Sequence, residues 1–200
     1  MKATDILYEE HRIITAALSC LQKIVEQAQA SGKLKMNSAN RALDFFKNFA
    51  DGCHHAKEED RLFVVMEERG IPREGGPIGV MLFEHDGGRD LVRGMAQCVE
   101  KASQGDAAAL RQFAAHARDF IALLSNHIAK EDQVLFPMAA QVLDGNAADQ
   151  LLSDFKNIEA MAGGHRHREY IAVAKQLCEE YGVDFVDDSQ LRTLNAEFLN

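Results

Sequence analysis

Apolar residues recur at threes and fours along nearly the whole chain. Leu7, Ile14, Leu18, Leu21 and Val25 predict a first helix from about residue 4 to 30, ended by "SGKLKMNS". Asn37 or Ser38 can cap a second helix, which runs to about residue 69, where Gly70 and Pro72 stop it. Pro77 suits the first turn of a third helix, carried by Ile78, Met81, Val92, Met95 and Val99 to a break near residue 104. Asp106 can cap a fourth helix holding Phe113, Phe120, Leu124, Leu135 and Met138, with Pro137 expected to bend or restart it before Gly145. A fifth helical segment, about 147 to 181, is interrupted by "AGGHRHRE", and the weakly periodic last residues are expected to form a loosely docked tail. No segment alternates as a strand. The pattern predicts an all-α protein: an antiparallel up-down four-helix bundle over residues 1–145, with residues 146–200 as a helical extension packed outside it.

Composition narrows the class. With 200 residues, 46% of them hydrophobic, the chain can bury one core without staples. The net charge is -9 and no basic run forms a phosphate-binding stripe, which argues against a nucleic-acid partner. Cys20, Cys53, Cys98 and Cys178 stand far apart with no C-x-x-C, so neither a disulfide framework nor a structural zinc site is indicated. A reducing cytoplasm is the expected setting. The N-terminus lacks a signal-peptide layout, and no apolar run approaches the ~18 residues of a membrane span.

Polar residues on the apolar stripes carry the chemistry. His54-His-Ala-Lys-Glu58-Glu-Asp-Arg-Leu62-Phe63 superposes on His127-Ile-Ala-Lys-Glu131-Asp-Gln-Val-Leu135-Phe136, so the second and fourth helices share H-x-x-K-E-[ED]-x-x-L-F. A histidine and a glutamate four residues apart share one helix face. His127 and Glu131 fall on the stripe of Phe120, Leu124 and Leu135. His54 and Glu58 fall on that of Phe46, Ala50 and Leu62, but His55 and Glu59 have a rival stripe in Phe45, Phe49 and Phe63. The repeat favours His54 with Glu58. His11 and His85 sit among the apolar positions of the first and third helices.

Any one such histidine is more often a hydrogen-bonded core residue than a ligand. Four on four helices, with two glutamates, are better explained by metal, because two bare carboxylates in a core would raise each other's pKa. Four imidazoles and two carboxylates without a thiolate suit iron, manganese or zinc, and exceed what one four-coordinate zinc takes. Two ions bridged by two carboxylates use all six, and iron is the first choice. Neither E-x-x-H nor H-E-x-x-H occurs, which excludes the ferritin-type and zinc-protease patterns.

The stretches "YEEHR", "CHHAKEEDRLF", "GPIGVMLFEHDGGR" and "NHIAKEDQVLFP" resemble the hemerythrin-like HHE cation-binding family over about residues 5 to 142. The resemblance implies a hemerythrin-type four-helix bundle around a non-haem centre of two iron ions. His11, His54, His85 and His127 would be terminal ligands, and Glu58 and Glu131 would bridge. Oxygen-carrying members have five histidines, including an H-x-x-x-H pair on the third helix, and an aspartate bridge. Here Met81 and Arg89 flank His85, and the second bridge is a glutamate. The set looks more like di-iron proteins that repair iron-sulfur clusters, although the paired-cysteine segment usual in those is absent from this sequence.

The expected function is therefore to bind or reduce dioxygen, nitric oxide or peroxide. The rival readings are an iron-dependent regulatory module without turnover, its protein partner undefined, and a plain helical bundle. Weaker signals are expected to play supporting parts. His55, Glu59 and Asp132 either orient ligands or lie on a solvated face. Gly87 and Gly88 allow close helix approach or a local distortion. His116 is too distant to be a ligand, and Tyr8 is expected in the core. His165 and His167 are expected to be exposed, with Glu159 and His165 as a remote route by which the extension folds over the bundle.

Overall fold

The computed structural model describes residues 3–161, 166–187 and 189–197, and its regular elements are all helical. Helix α1 is Ala3–Ser31. The second rod opens as α2 (Met36–Phe45), widens into a π-helical segment at Phe46–His55 and another at Glu58–Leu62, and closes as α3 (Phe63–Glu68). Helix α4 is Pro77–Ser103, with proline in its first turn as the sequence predicts. The next rod runs through α5 (Ala107–Lys130), a π segment at Glu131–Leu135 and α6 (Phe136–Val142). Asp106 caps α5 by accepting from the amides of Ala108 and Ala109, both at 2.9 Å. The second helix starts earlier than expected, at Met36. Ser38 does not cap it; its hydroxyl donates to Glu180.

Three further helices follow: α7 (Gly145–Met161), α8 (Arg166–Tyr181) and α9 (Arg192–Glu197). The core is filled by phenylalanines from both rods, among them Phe45, Phe49, Phe63, Phe113 and Phe136. Helices α4 and α5 share the longest interface. At Gly94 of α4, a Cβ would stand 2.9 Å from the ring of half-buried His116 on α5. Pro137 does not break its rod, because it falls in the first turn of α6, where its missing N–H is not needed.

The extension is anchored on several sides. Cys20 of α1 and Cys178 of α8 bring their buried sulfurs to 3.4 Å, and Glu180 takes Ser38 and Arg41 of α2. The described part of the tail, through Glu197, is not loosely docked. Glu9 of α1 accepts the backbone amides of Thr193 and Leu194 at 3.0 and 2.8 Å, so it caps α9, and Leu191 and Leu194 are buried. No helix among the described residues is long and apolar enough to cross a membrane.

Candidate metal centre

His11, His54, His85, His127, Glu58 and Glu131 are all buried, and the fold brings them together. Two groups of ligand atoms lie within 4.8 Å of one another: His11, His54, Glu58 and Glu131 in one, and His55, Glu58, His85 and His127 in the other. Glu58 reaches both halves, with Oε1 3.5 Å from His54 Nε2 and Oε2 3.5 Å from His85 Nε2. Glu131 does the same, with Oε2 3.2 Å from His11 Nε2 and Oε1 3.2 Å from His127 Nε2. All four carboxylate oxygens are buried without a hydrogen-bond donor.

His55 belongs to this cluster as well. Its ring stacks on His85 with centroids 3.8 Å apart, its Nε2 is buried without a hydrogen-bond partner, and it is not on a solvated face. The winding of the second rod makes this possible. In π-helical turns the amide bonds five residues back instead of four. Ala56 donates to Asp51, Phe63 to Glu58 and Phe136 to Glu131. The wide turns therefore lie at the candidate ligands themselves. In the second rod they let adjacent His54 and His55 both contribute inward, where regular winding would rotate them apart by ~100°.

Every one of the five imidazoles is braced through Nδ1 by a carboxylate. The contacts are His11 to Asp132 at 2.7 Å, His54 to Glu10 at 2.9 Å, His55 to Asp51 at 3.3 Å, His85 to Glu59 at 2.6 Å and His127 to Glu84 at 3.0 Å. A carboxylate at Nδ1 takes that N–H and leaves the Nε2 lone pair facing inward, the tautomer a metal needs. Four of the braces cross between helices, and each stands next in sequence to another inward residue: Glu10 beside His11, Glu84 beside His85, Glu59 beside Glu58, Asp132 beside Glu131. Glu59 and Asp132 thus orient histidines, one of the two roles expected for them. Glu10, Glu84 and Asp51 escaped sequence reasoning; an acid next to His11 and next to His85 was the available signal for the first two, and a spacing of four from His55 for Asp51. Tyr8 is half-buried, and its hydroxyl donates to the carbonyl of Asp132 at 2.9 Å.

Electrostatics of the protein alone are conflicted. Burial, with Glu131 facing it, pushes the Glu58 carboxyl well above the usual carboxylate range. Burial also opposes ionisation of Glu131, but His127 and His11 outweigh it and hold this carboxyl well below its usual range. Burial pushes His54 down to about 4 although Glu10 opposes this, whereas His11 is raised to about 9 against its burial by Asp132 and Glu131. The inner edges of two pairs are also crowded, with His11 Nε2 at 2.9 Å from His54 Nε2 and His85 Nε2 at 3.0 Å from His127 Nε2. Converging lone pairs and donor-free carboxylate oxygens fit a pair of cations, and the all-nitrogen-and-oxygen donor set fits iron.

A third buried group, Glu10, Glu159 and His167, lies behind His54. It already holds a cation: Lys57, fully buried, donates to Glu10 at 2.6 Å and to Glu159. His167 is buried rather than exposed, with Nδ1 2.9 Å from Glu159, because α8 folds it against Phe49 of the second rod. The extension thus meets the centre through Glu159 and Lys57; His165 lies outside the described residues.

A helical protein with a buried histidine and carboxylate cluster of this kind is of the metal-binding class. Residues 2–139 match the hemerythrin HHE cation binding domain, and the chain belongs to that family. It is also similar to uncharacterized proteins of Mycobacterium bovis and Mycobacterium tuberculosis, each 22% identical over 157 residues, covering 78% of this chain and 61% of the relative. The chain thus spans about three-fifths of the length of these curated relatives. No solved structure matches it.

Proposed function

We propose that the chain is a non-haem di-iron protein that binds or reduces dioxygen, nitric oxide or peroxide, in a sensing, buffering or protective role. One ion would be held by His11 and His54, the other by His85 and His127 with His55 as a fifth imidazole, with Glu58 and Glu131 shared between them. The observation that carries this reading is the bridging geometry: four donor-free carboxylate oxygens, each turned toward a different histidine. An antiparallel up-down bundle over 1–145, with 146–200 packed on it, is the architecture this reading assumes. Four free buried thiols suit a reducing, cytoplasmic setting.

Bound iron would supply a redox-active Lewis acid with a position for a small ligand. The protein's own part is to fix the imidazoles by their Nδ1 carboxylates and to keep bulk water from the bridges. The test is metal analysis and absorption spectroscopy of protein expressed with sufficient iron. About two irons per chain with an oxo-bridged band is the expected result for a site using the full donor set. A folded protein that ignores added iron overturns the reading.

A second reading, an iron-dependent regulatory module without turnover, is favoured by one observation. Glu10, which braces His54, is tied through Lys57 to Glu159 of the extension, so occupancy at the centre and docking of the extension are linked. Iron removal should then loosen α7 and α8, as read by hydrogen exchange, while turnover with peroxide or nitric oxide stays negligible. Exchange in α7 and α8 that is identical with and without iron rejects it.

A further inference from the structure

A cavity of about 320 Å³ opens between the second rod and α4 and ends against His55 and His85. Its walls are mainly apolar, with Phe46 and Ala50 on one side, Gly88 and Val92 on another and Phe120 and Leu124 of α5 behind, and Glu84 joins the lining beside His85. The two flanking helices run past each other in opposite directions here, since His55 stacks on His85 and, four residues along each, Asp51 pairs with Arg89 at 2.7 Å. A further four residues along lie Lys47 and Arg93, both exposed and both lining the cavity. The cavity is therefore a slot with imidazoles at its inner end and two cations at its mouth. The Asp51–Arg89 pair crosses its middle, and the eight residues of α4 from His85 to Arg93, about 12 Å of helix, separate the ends.

Two features favour an occupant. Gly88 has ordinary helical φ, and a Cβ there would meet Phe120 at 3.6 Å, a normal contact. Neither backbone strain nor close helix approach calls for glycine, which costs ~1 kcal/mol inside a helix, so what its missing side chain provides is space in the slot. The mouth is also cationic in a chain of net charge -9. Arg93 pairs with Asp90, but no carboxylate partner of Lys47 is found among the described residues.

We propose that this slot binds a medium-chain aliphatic carboxylate, its head at Lys47 and Arg93 and its tail toward His55 and His85. An extended alkyl chain advances roughly 1.3 Å per carbon for single bonds of about 1.5 Å, so about 12 Å holds a chain of roughly nine or ten carbons. Such a ligand covers the centre from the side of the three-histidine half. The inference goes beyond the di-iron reading and does not depend on it, because walls and mouth are formed without a metal.

Calorimetric titration of the full chain with hexanoate, octanoate and decanoate tests it, with iron content measured alongside so that a metal-poor preparation is not mistaken for a failed slot. Affinity should rise about fourfold per methylene up to decanoate. Decanol and decyltrimethylammonium should bind at least about tenfold more weakly than decanoate, as should decanoate to Lys47→Glu/Arg93→Glu, since both remove a charge-assisted contact. Gly88→Leu, which fills the slot, should abolish decanoate binding; Val92→Phe narrows it from the half-buried rim and serves if the first variant does not fold. Absence of saturable decanoate binding, affinity independent of chain length, or full binding by a folded slot-filling variant overturns the proposal. Decanol binding as tightly as decanoate overturns the carboxylate assignment.

Discussion

The two halves of the centre are built from the same residue types and differ in what lies behind them. In the first half, His54 backs onto a sealed charged core, in which Glu10 is fully buried and depends on buried Lys57 and on Glu159 of the extension, while His11 is braced by half-buried Asp132 at the edge of a surface cavity. The half formed by His55, His85 and His127 is braced by Asp51, Glu59 and Glu84, which are half-buried and shared with Arg89 or Lys130 near solvent, and it borders the cavity. His54 is thus fixed by buried groups that tolerate no loss, whereas the other histidines are braced by half-buried groups that water can partly replace.

Removing what the halves share should have the largest effect. On the di-iron reading, Glu131→Ala withdraws an oxygen from each half and would leave the ions with less negative charge between them, so essentially all iron should be lost, as read by metal analysis of the purified variant. Next, the histidines should divide by half. His54→Ala leaves one imidazole beside the bridges on the sealed side and should empty that side. His55→Ala leaves His85 and His127 and should retain most metal, with a changed absorption spectrum. Equal iron loss in the two variants would erase the distinction.

Stability should show the same division. Lys57→Met strands two carboxylates in the core and should cost about 3–5 kcal/mol in urea unfolding, whereas Arg89→Met, on the open side, should cost no more than about 1 kcal/mol. Comparable losses would mean that the sealed core is not the rigid side. The smallest effect is expected from the braces: Asp132→Asn should leave iron bound but lower its affinity about 10- to 100-fold in chelator competition, the range for a carboxylate that orients a ligating histidine.

How much of this was legible in the sequence depends on whether the signal was local. The apolar stripes, Asp106 as a cap, Pro77 as a start and the repeated histidine–glutamate spacing are local, and the helices and six inward residues follow from them. The inward turn of His55 was legible as a rival stripe but set aside in favour of His54, because regular winding makes adjacent histidines alternatives, and nothing in "FKNFADGCHH" announces a π turn that admits both. Glu10 and Glu84 were hidden because each serves a histidine on a different helix from its own. Burial of His167 and docking of α9 were hidden for the same reason: Glu159, Phe49 and Glu9 supply the partners from remote parts of the chain. In a Gly-rich or weakly periodic stretch, no local pattern reports such partners.

The widened winding of the second rod also bears on how such a centre can change over generations. A π turn holds one residue more than the α-helical turn it replaces, so it is equivalent to an insertion that the helix has absorbed. Loss of one codon within 46–55 would let the segment rewind as regular helix, and the phenylalanine stripe and the two histidines would shift relative to each other by about 100°. Five imidazoles would become four with no ligand substituted. Among descendants of such a chain, donor number would track the length of this helix, and an alignment that closes its gaps in the wrong place would miss the change.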